Sequence, residues 1–166
     1  MKKLFLVITV ISFFSCNQNA NLSVNPSFDS NVEIVKQWFK LWETEDLEKI
    51  SAMISDSVKW QGCFYGQPLM TNKSDLVNYI NKWHVAMENI TYNPTNFLSG
   101  VDSETNKLNG SVRSYGTWSG KNTATGKEFE VLFYHYFGFD ENGKIVYGGD
   151  YGDATGVMMA VAPDQE

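Results

Sequence analysis

The sequence has 166 residues, of which 43% are hydrophobic, 14% aromatic and 19% charged. This length fits one ordinary domain, and the apolar fraction is enough to build a core, which excludes wholesale disorder. A formal charge of -6 without a basic stripe argues against nucleic acid as a partner. Two Cys and two His leave little material for a disulfide scaffold or a metal site.

The N-terminus has the pattern of an export signal. Lys2 and Lys3 precede an apolar run over residues 4–14, which is too short to span a bilayer but suits a signal peptide. The run ends in Ser-Cys and resembles a bacterial lipobox. This resemblance implies that residues 1–15 are removed by cleavage before Cys16 and that lipid is attached to Cys16. The protein would then be anchored to a membrane of the bacterial cell envelope, with plain secretion as the alternative. The polar residues 16–29 are predicted to form a flexible tether.

Three helices are predicted in the first half of the domain. Residues 30–45 begin with a capping box and continue with apolar residues at spacings of three and four. Asp46 is expected to cap a second helix, and Asn72 or Ser74 a third. A strand over residues 58–64 separates the second helix from the third.

After residue 90 the apolar period changes to two, which is typical of strands. Asn142-Gly143 predicts a hairpin with a type I′ turn between the last two strands. Helices followed by antiparallel strands indicate the α+β class. The predicted strands cover residues 91–98, 108–119, 128–139 and 145–151.

This order of elements resembles the NTF2-like superfamily, and within it the SnoaL-like group. The residues that carry the resemblance are Gly126-Lys127, the hairpin over residues 137–145 and the segment Asp150-Tyr-Gly-Asp153. The resemblance covers residues 30–162 and leaves 163–166 as a tail. It implies a cone in which a curved sheet wraps around the third helix and encloses a pocket. It also implies a homodimer formed through the outer sheet face, as is common in the family.

Alternation along residues 128–139 places His135 on the more apolar face, which we assign to the interior. Phe133 and Phe137 share that face. If the Asn142-Gly143 turn has a two-residue loop, His135 lies opposite Asp150, whereas a longer loop pairs it with a neighbouring glycine. A His beside an Asp is a prepared acid or base, which makes this pair a candidate catalytic site.

Two more residues are candidates for proton transfer. His84 lies on the apolar face of the third helix, where it is either a second acid or base or an ordinary core residue. Asp153 matches the acidic residue that acts as an acid or base in the cyclases of the resembling family. Its alternatives are a cap for residues 154–160 and plain exposure to solvent.

Apolar walls for the pocket are assigned to aromatic residues. Trp60 and Trp118 are expected to point inward from their strands, together with Phe133, Phe137 and Tyr151. Trp38 and Trp42 are assigned to the core. Cys63 is predicted to be an inert buried thiol. No metal and no cofactor is expected, because neither ligand spacing nor a glycine-rich phosphate loop is present.

Two functions from different classes follow. The first is a binding domain that holds a small apolar or aromatic molecule in its pocket. The second is a cofactor-free acid–base enzyme of the isomerase, dehydratase or cyclase type, in which His135 is the acid or base and Asp150 orients it.

Overall fold

The computed structural model describes residues 26–164, which form four helices and a five-stranded sheet. The α+β class is therefore confirmed. The predicted signal peptide, Cys16 and most of the predicted tether lie outside the described residues. The elements are α1 (Pro26–Glu43), α2 (Leu47–Met53), β1 (Ile54–Gln61), α3 (Lys73–Ala86), β2 (Met87–Val101), β3 (Leu108–Asn122), β4 (Glu128–Phe139), β5 (Ile145–Gly152) and α4 (Ala154–Ala160).

The starts of α2 and α3 are set by short polar side chains. Asp46 accepts a hydrogen bond from the backbone N–H of Lys49 and caps α2, and Asn72 caps α3, as predicted. α1 is already helical at Pro26, the first described residue, so the predicted start at residue 30 is too late. Residues 26–29 are thus helical and do not belong to a tether.

The sheet has the strand order β1-β5-β4-β3-β2. β1 runs parallel to β5, and every other neighbouring pair is antiparallel. α1 packs across β2 and β3, and α3 packs against β1 and β2. β1 starts at Ile54, so the predicted strand over residues 58–64 was displaced towards the C-terminus. The largest fully buried side chains come from both layers and include Trp38, Trp60, Phe137 and Ile80.

The β4–β5 hairpin pairs His135 with Asp150, as predicted, although its turn differs. The turn runs from Asp140 to Gly143, and only Gly143 of these residues has a positive φ, which excludes the predicted type I′ turn. This turn alone would shift the pairing by one residue. A register shift between Gly138 and Phe139 compensates for it and restores the His135–Asp150 pair.

Within residues 26–164, no helix combines the length and the apolar character that crossing a membrane requires.

Candidate functional site: an aromatic cavity with a buried His–Asp pair

A cavity lies between the sheet and helices α1 and α3, and its walls are mostly aromatic. The predicted wall residues Trp60, Trp118 and Phe133 line it, and so do His135 and Asp150. Phe137 is fully buried beside the cavity and packs against Trp60, with ring centroids 5.5 Å apart. The other lining residues are Trp38, Trp42, Tyr79, Trp83, Ile90, Phe129 and Val131.

The cavity is narrow. It offers about 40 Å³ to the centres of water-sized molecules, and the whole space between its walls and mouth is about 510 Å³. The larger volume includes open solvent, so the smaller one better describes what the enclosed part holds. One water needs roughly 10–15 Å³ on the same scale, so the enclosed part accommodates a few waters or one compact molecule.

Asp150 lies at the cavity wall, with only 8% of its surface exposed. One carboxylate oxygen, Oδ2, accepts hydrogen bonds from the Trp60 indole at 3.0 Å and the Tyr79 hydroxyl at 3.4 Å. The other, Oδ1, lies 2.7 Å from Nδ1 of His135. Three donors from β1, α3 and β4 therefore converge on this carboxylate, which stabilises its negative charge in a buried position.

The hydrogen bonds of His135 define its tautomer. Its Nε2 lies 2.8 Å from the indole nitrogen of Trp118, and an indole N–H can only donate. Nε2 therefore carries the lone pair, and the proton resides on Nδ1, from which it is donated to Asp150. In this arrangement the ring is neutral and both of its nitrogens are occupied. His135 can act as a base only after the Trp118 hydrogen bond has been broken.

Cys63 and Tyr79 form a second contact layer below Asp150. The Cys63 sulfur lies 3.4 Å from the Tyr79 hydroxyl oxygen. Burial, and secondly the charge of Asp150, raises the pKa of the Cys63 thiol to about 12. The same two causes raise the pKa of Tyr79. Both groups are protonated at neutral pH, which agrees with the expectation of an inert thiol at Cys63.

His84 does not line the cavity. Its ring packs edge-on against Trp42, with centroids 5.1 Å apart, and neither ring nitrogen has a hydrogen-bond partner. Burial lowers the pKa of His84. The charge of Glu45 opposes this shift, and so does a weak contact with the Trp42 backbone that falls short of hydrogen-bond geometry. The structure thus places His84 against Trp42 and not at the cavity wall, which favours the alternative interpretation of His84 as a core residue.

Asp153 and Tyr151 also lie outside the cavity. Asp153 is exposed and caps α4, where its side chain accepts a hydrogen bond from the backbone N–H of Gly156 at 2.8 Å. Tyr151 is 60% exposed and contacts Tyr134 and Tyr136 on the opposite face of the sheet. Strand alternation explains this placement, because the neighbour of an inward-facing Asp150 must point outward.

The family can be assigned from the sequence of the folded region. The SnoaL-like domain family matches residues 35–148, which include every residue of the cavity except Asp150. The chain belongs to the SnoaL-like domain family. No curated protein is significantly similar to the chain in sequence.

Solved structures share the fold of this SnoaL-like domain at low sequence identity. An NTF2-like protein from Burkholderia pseudomallei has a TM-score of 0.65 and 17% identity. The match covers 80% of this chain and 98% of that protein. A candidate SnoaL-like polyketide cyclase from Jannaschia has a TM-score of 0.67 and 13% identity. The match covers 84% of this chain and 96% of that protein. A protein with a ketosteroid isomerase-like fold from Catenulispora acidiphila, in complex with trimethylamine, has a TM-score of 0.63 and 15% identity. The match covers 78% of this chain and 92% of that protein.

The sequence pattern does not identify four large side chains of the SnoaL-like cavity. It assigns Trp38 and Trp42 to the core and gives no role to Tyr79 or Trp83, although all four line the cavity. The spacing of Tyr79 and Trp83 from Leu76 on α3 is the signal that places all three on one helix face. Within residues 26–164, no group of three or more His, Cys, Asp or Glu side chains is arranged to hold a metal ion.

Proposed function

We propose that this SnoaL-like domain binds a small molecule in its aromatic cavity. The observation that carries the proposal is a cavity with eight aromatic residues in its wall and two convergent polar side chains, His135 and Asp150. Apolar walls with a few placed polar groups are typical of small-molecule sites. The protein from Catenulispora acidiphila is an example of a protein with this fold in complex with a small molecule.

Intrinsic fluorescence is a direct test, because all five tryptophans of the protein line the cavity. Phenol and short-chain ammonium compounds are the probes. We expect at least one of them to change the emission saturably. Val131→Phe fills the cavity and should abolish this change. Val85→Phe is the matched control, since Val85 is 68% exposed on α3 and lies outside the cavity.

Failure of every probe, together with the absence of a co-purified small molecule in native mass spectrometry, would contradict the binding proposal. Equal binding by wild-type protein and Val131→Phe would also contradict it, because the site would then lie elsewhere.

A second candidate function is cofactor-free proton transfer. The 2.7 Å contact between His135 and Asp150 at the cavity wall favours it. A reacting ligand would have to take the place of the Trp118 indole at Nε2 of His135. If a reacting ligand is identified, His135→Ala should lower its turnover by about 100-fold or more. Unchanged turnover would exclude this role for His135.

We also propose that the domain is exported and anchored by lipid on Cys16. The support is the sequence alone: two lysines, an apolar run and a lipobox-like Ser15-Cys16. Several acyl chains would hold the protein stably on a membrane. Cys16→Ser should move the protein from the membrane fraction to the soluble fraction of the expressing bacterium. Continued membrane association of this variant would refute the anchor.

A further inference from the structure

We propose that the ligand of the cavity is a small organic cation, an ammonium ion whose nitrogen carries methyl or other alkyl groups. This inference rests on the proposed binding function and specifies its ligand class. It combines three observations: the identity of the rings, the charge of the wall and the size of the enclosed space.

The rings are the first observation. The protein has five tryptophans, and all five line this one cavity: Trp38, Trp42, Trp60, Trp83 and Trp118. Four of them lie close together, with ring centroids 5.6 Å apart for Trp38 and Trp60, 6.5 Å for Trp38 and Trp42, and 5.4 Å for Trp42 and Trp118. The face of an indole ring carries negative potential and is the best aromatic partner for a cation. Aliphatic walls would bind a neutral apolar ligand equally well.

The charge of the wall is the second observation. Asp150 is 92% buried, and within residues 26–164 its only ion-pair partner is His135, which is neutral in the tautomer defined by Trp118. The Trp60 indole and the Tyr79 hydroxyl stabilise this carboxylate without neutralising it. No lysine or arginine is present among the lining residues. The cavity therefore has a net negative wall, which an organic cation would balance.

The polar groups of the wall distinguish alkylated ammonium from other cations. A carboxylate has about four acceptor positions, and three of those on Asp150 are already used. A primary ammonium has three N–H groups that need acceptors, and a calcium or magnesium ion needs about six oxygen ligands. Alkyl groups on nitrogen need no acceptor and pack against the rings. The shortage of acceptors in the cavity therefore favours a nitrogen covered by carbon.

The size of the cavity agrees with such a group. The 40 Å³ available to centres of water-sized molecules corresponds to a sphere roughly 3.5 Å in radius once the water radius of about 1.4 Å is added. A nitrogen with three or four methyl substituents is a compact, nearly spherical group of this kind. A fused-ring molecule would require the wall to open.

The test compares two molecules of the same shape and different charge. Choline and 3,3-dimethylbutan-1-ol differ in that a carbon atom replaces the quaternary nitrogen. We expect tryptophan fluorescence and calorimetry to show choline binding at least tenfold more tightly to the full-length protein. Equal or tighter binding of the neutral alcohol would overturn the cation inference and leave the proposed binding function intact. If neither molecule binds but phenol does, the inference also fails alone. Failure of every probe contradicts both proposals.

Two variants locate the effect. Asp150→Asn should weaken choline binding at least tenfold and leave binding of the neutral alcohol nearly unchanged. Because three donors meet at Asp150, this variant must first be shown to fold by circular dichroism. Trp83→Leu does not depend on that condition, since Trp83 is only partly buried. It keeps an apolar wall, removes an indole face and should weaken choline selectively. Tyr65→Leu is the control, because Tyr65 is 99% exposed. Unchanged choline affinity in both folded cavity variants would overturn the inference.

Discussion

At the scale of single residues, the two histidines of this protein show how different surroundings produce different roles. His135 has a partner at each ring nitrogen, Asp150 at 2.7 Å and Trp118 at 2.8 Å, and its proton position is determined. His84 is buried to a similar extent but has a partner at neither nitrogen. A buried polar group without a partner destabilises the folded state, so His84 is a weak point of the structure.

The unpartnered His84 predicts a pH dependence of stability. Burial lowers its pKa below the ordinary value of 6.5, so the unfolded chain binds more protons than the folded protein as pH falls through this range. The free energy of unfolding should therefore decrease on acidification from about pH 7 to pH 5. His84→Phe should reduce this decrease and leave stability at pH 8 equal or higher, as measured by urea unfolding. An identical pH slope in wild type and variant would contradict this assignment.

Asp153 is expected to contribute to stability through its cap on α4. Asp153→Ala should lower the free energy of unfolding by about 1 kcal/mol, because the backbone N–H of Gly156 loses its acceptor. Asp153→Asn retains a side-chain oxygen and should lose much less. Ligand binding in the cavity should be unaffected by either change. A large loss of binding would instead show that Asp153 contributes to the binding site.

At the scale of elements, β5 brings β1 and β4 together and thereby assembles the polar part of the cavity. It is parallel to β1, which supplies Trp60, and antiparallel to β4, which supplies His135. Asp150 lies on β5 between these two strands and forms hydrogen bonds with Trp60 and His135. Gly148 pairs with Trp60 across the β1–β5 ladder and leaves the space in which the indole lies.

A side chain at Gly148 should displace Trp60. An added Cβ would lie 2.3 Å from Cζ3 of the indole and 2.6 Å from the Tyr136 carbonyl oxygen. Gly148→Ala is therefore expected to lower the free energy of unfolding by about 1–3 kcal/mol and to weaken the Trp60–Asp150 hydrogen bond. Trp60→Phe in the same background removes Cζ3 and should recover part of the loss. Additive effects of the two substitutions in a double-mutant cycle would show that the clash is not the cause.

At the scale of the whole molecule, the two faces of the sheet carry different aromatic sets. The inner face forms the cavity, while the outer face presents a cluster of tyrosine rings. Their centroids lie 5.7 Å apart for Tyr134 and Tyr151 and 4.8 Å apart for Tyr134 and Tyr115. Leu132 on the same face is 76% exposed. Exposed apolar and aromatic residues of this density are typical of interaction surfaces. We therefore propose that the protein forms a homodimer through the outer sheet face.

The dimer proposal is tested with a pair of charged substitutions. Leu132→Glu should shift the protein towards monomer in analytical ultracentrifugation, because a carboxylate would be buried at the centre of the interface. Val85→Glu introduces the same charge at a similarly exposed position on α3 and should leave the oligomeric state unchanged. A wild-type protein that sediments as a monomer at high concentration would rule out the dimer.

The sequence by itself determined the features that depend on local periodicity. Alternation along β4 placed His135, Phe133 and Phe137 on the inner face, and Asp46 and Asn72 marked the helix starts through their short polar side chains. The pairing of His135 with Asp150 was also predicted, but through a turn type that is wrong and a register shift that compensates for it. The same alternation, applied to β5 with Asp150 facing inward, places Tyr151 on the outer face.

Only the tertiary structure decided which residues share the cavity. Trp38, Trp42 and Trp83 lie on helices whose apolar faces are wide enough to contact either the core or the cavity, and the local pattern does not distinguish the two. The docking of α1 and α3 on the sheet brings these rings to Asp150 and leaves His84 against Trp42. The physical reason is that periodicity reports whether a side chain is buried, whereas the partners of that side chain are set by contacts between segments distant in sequence.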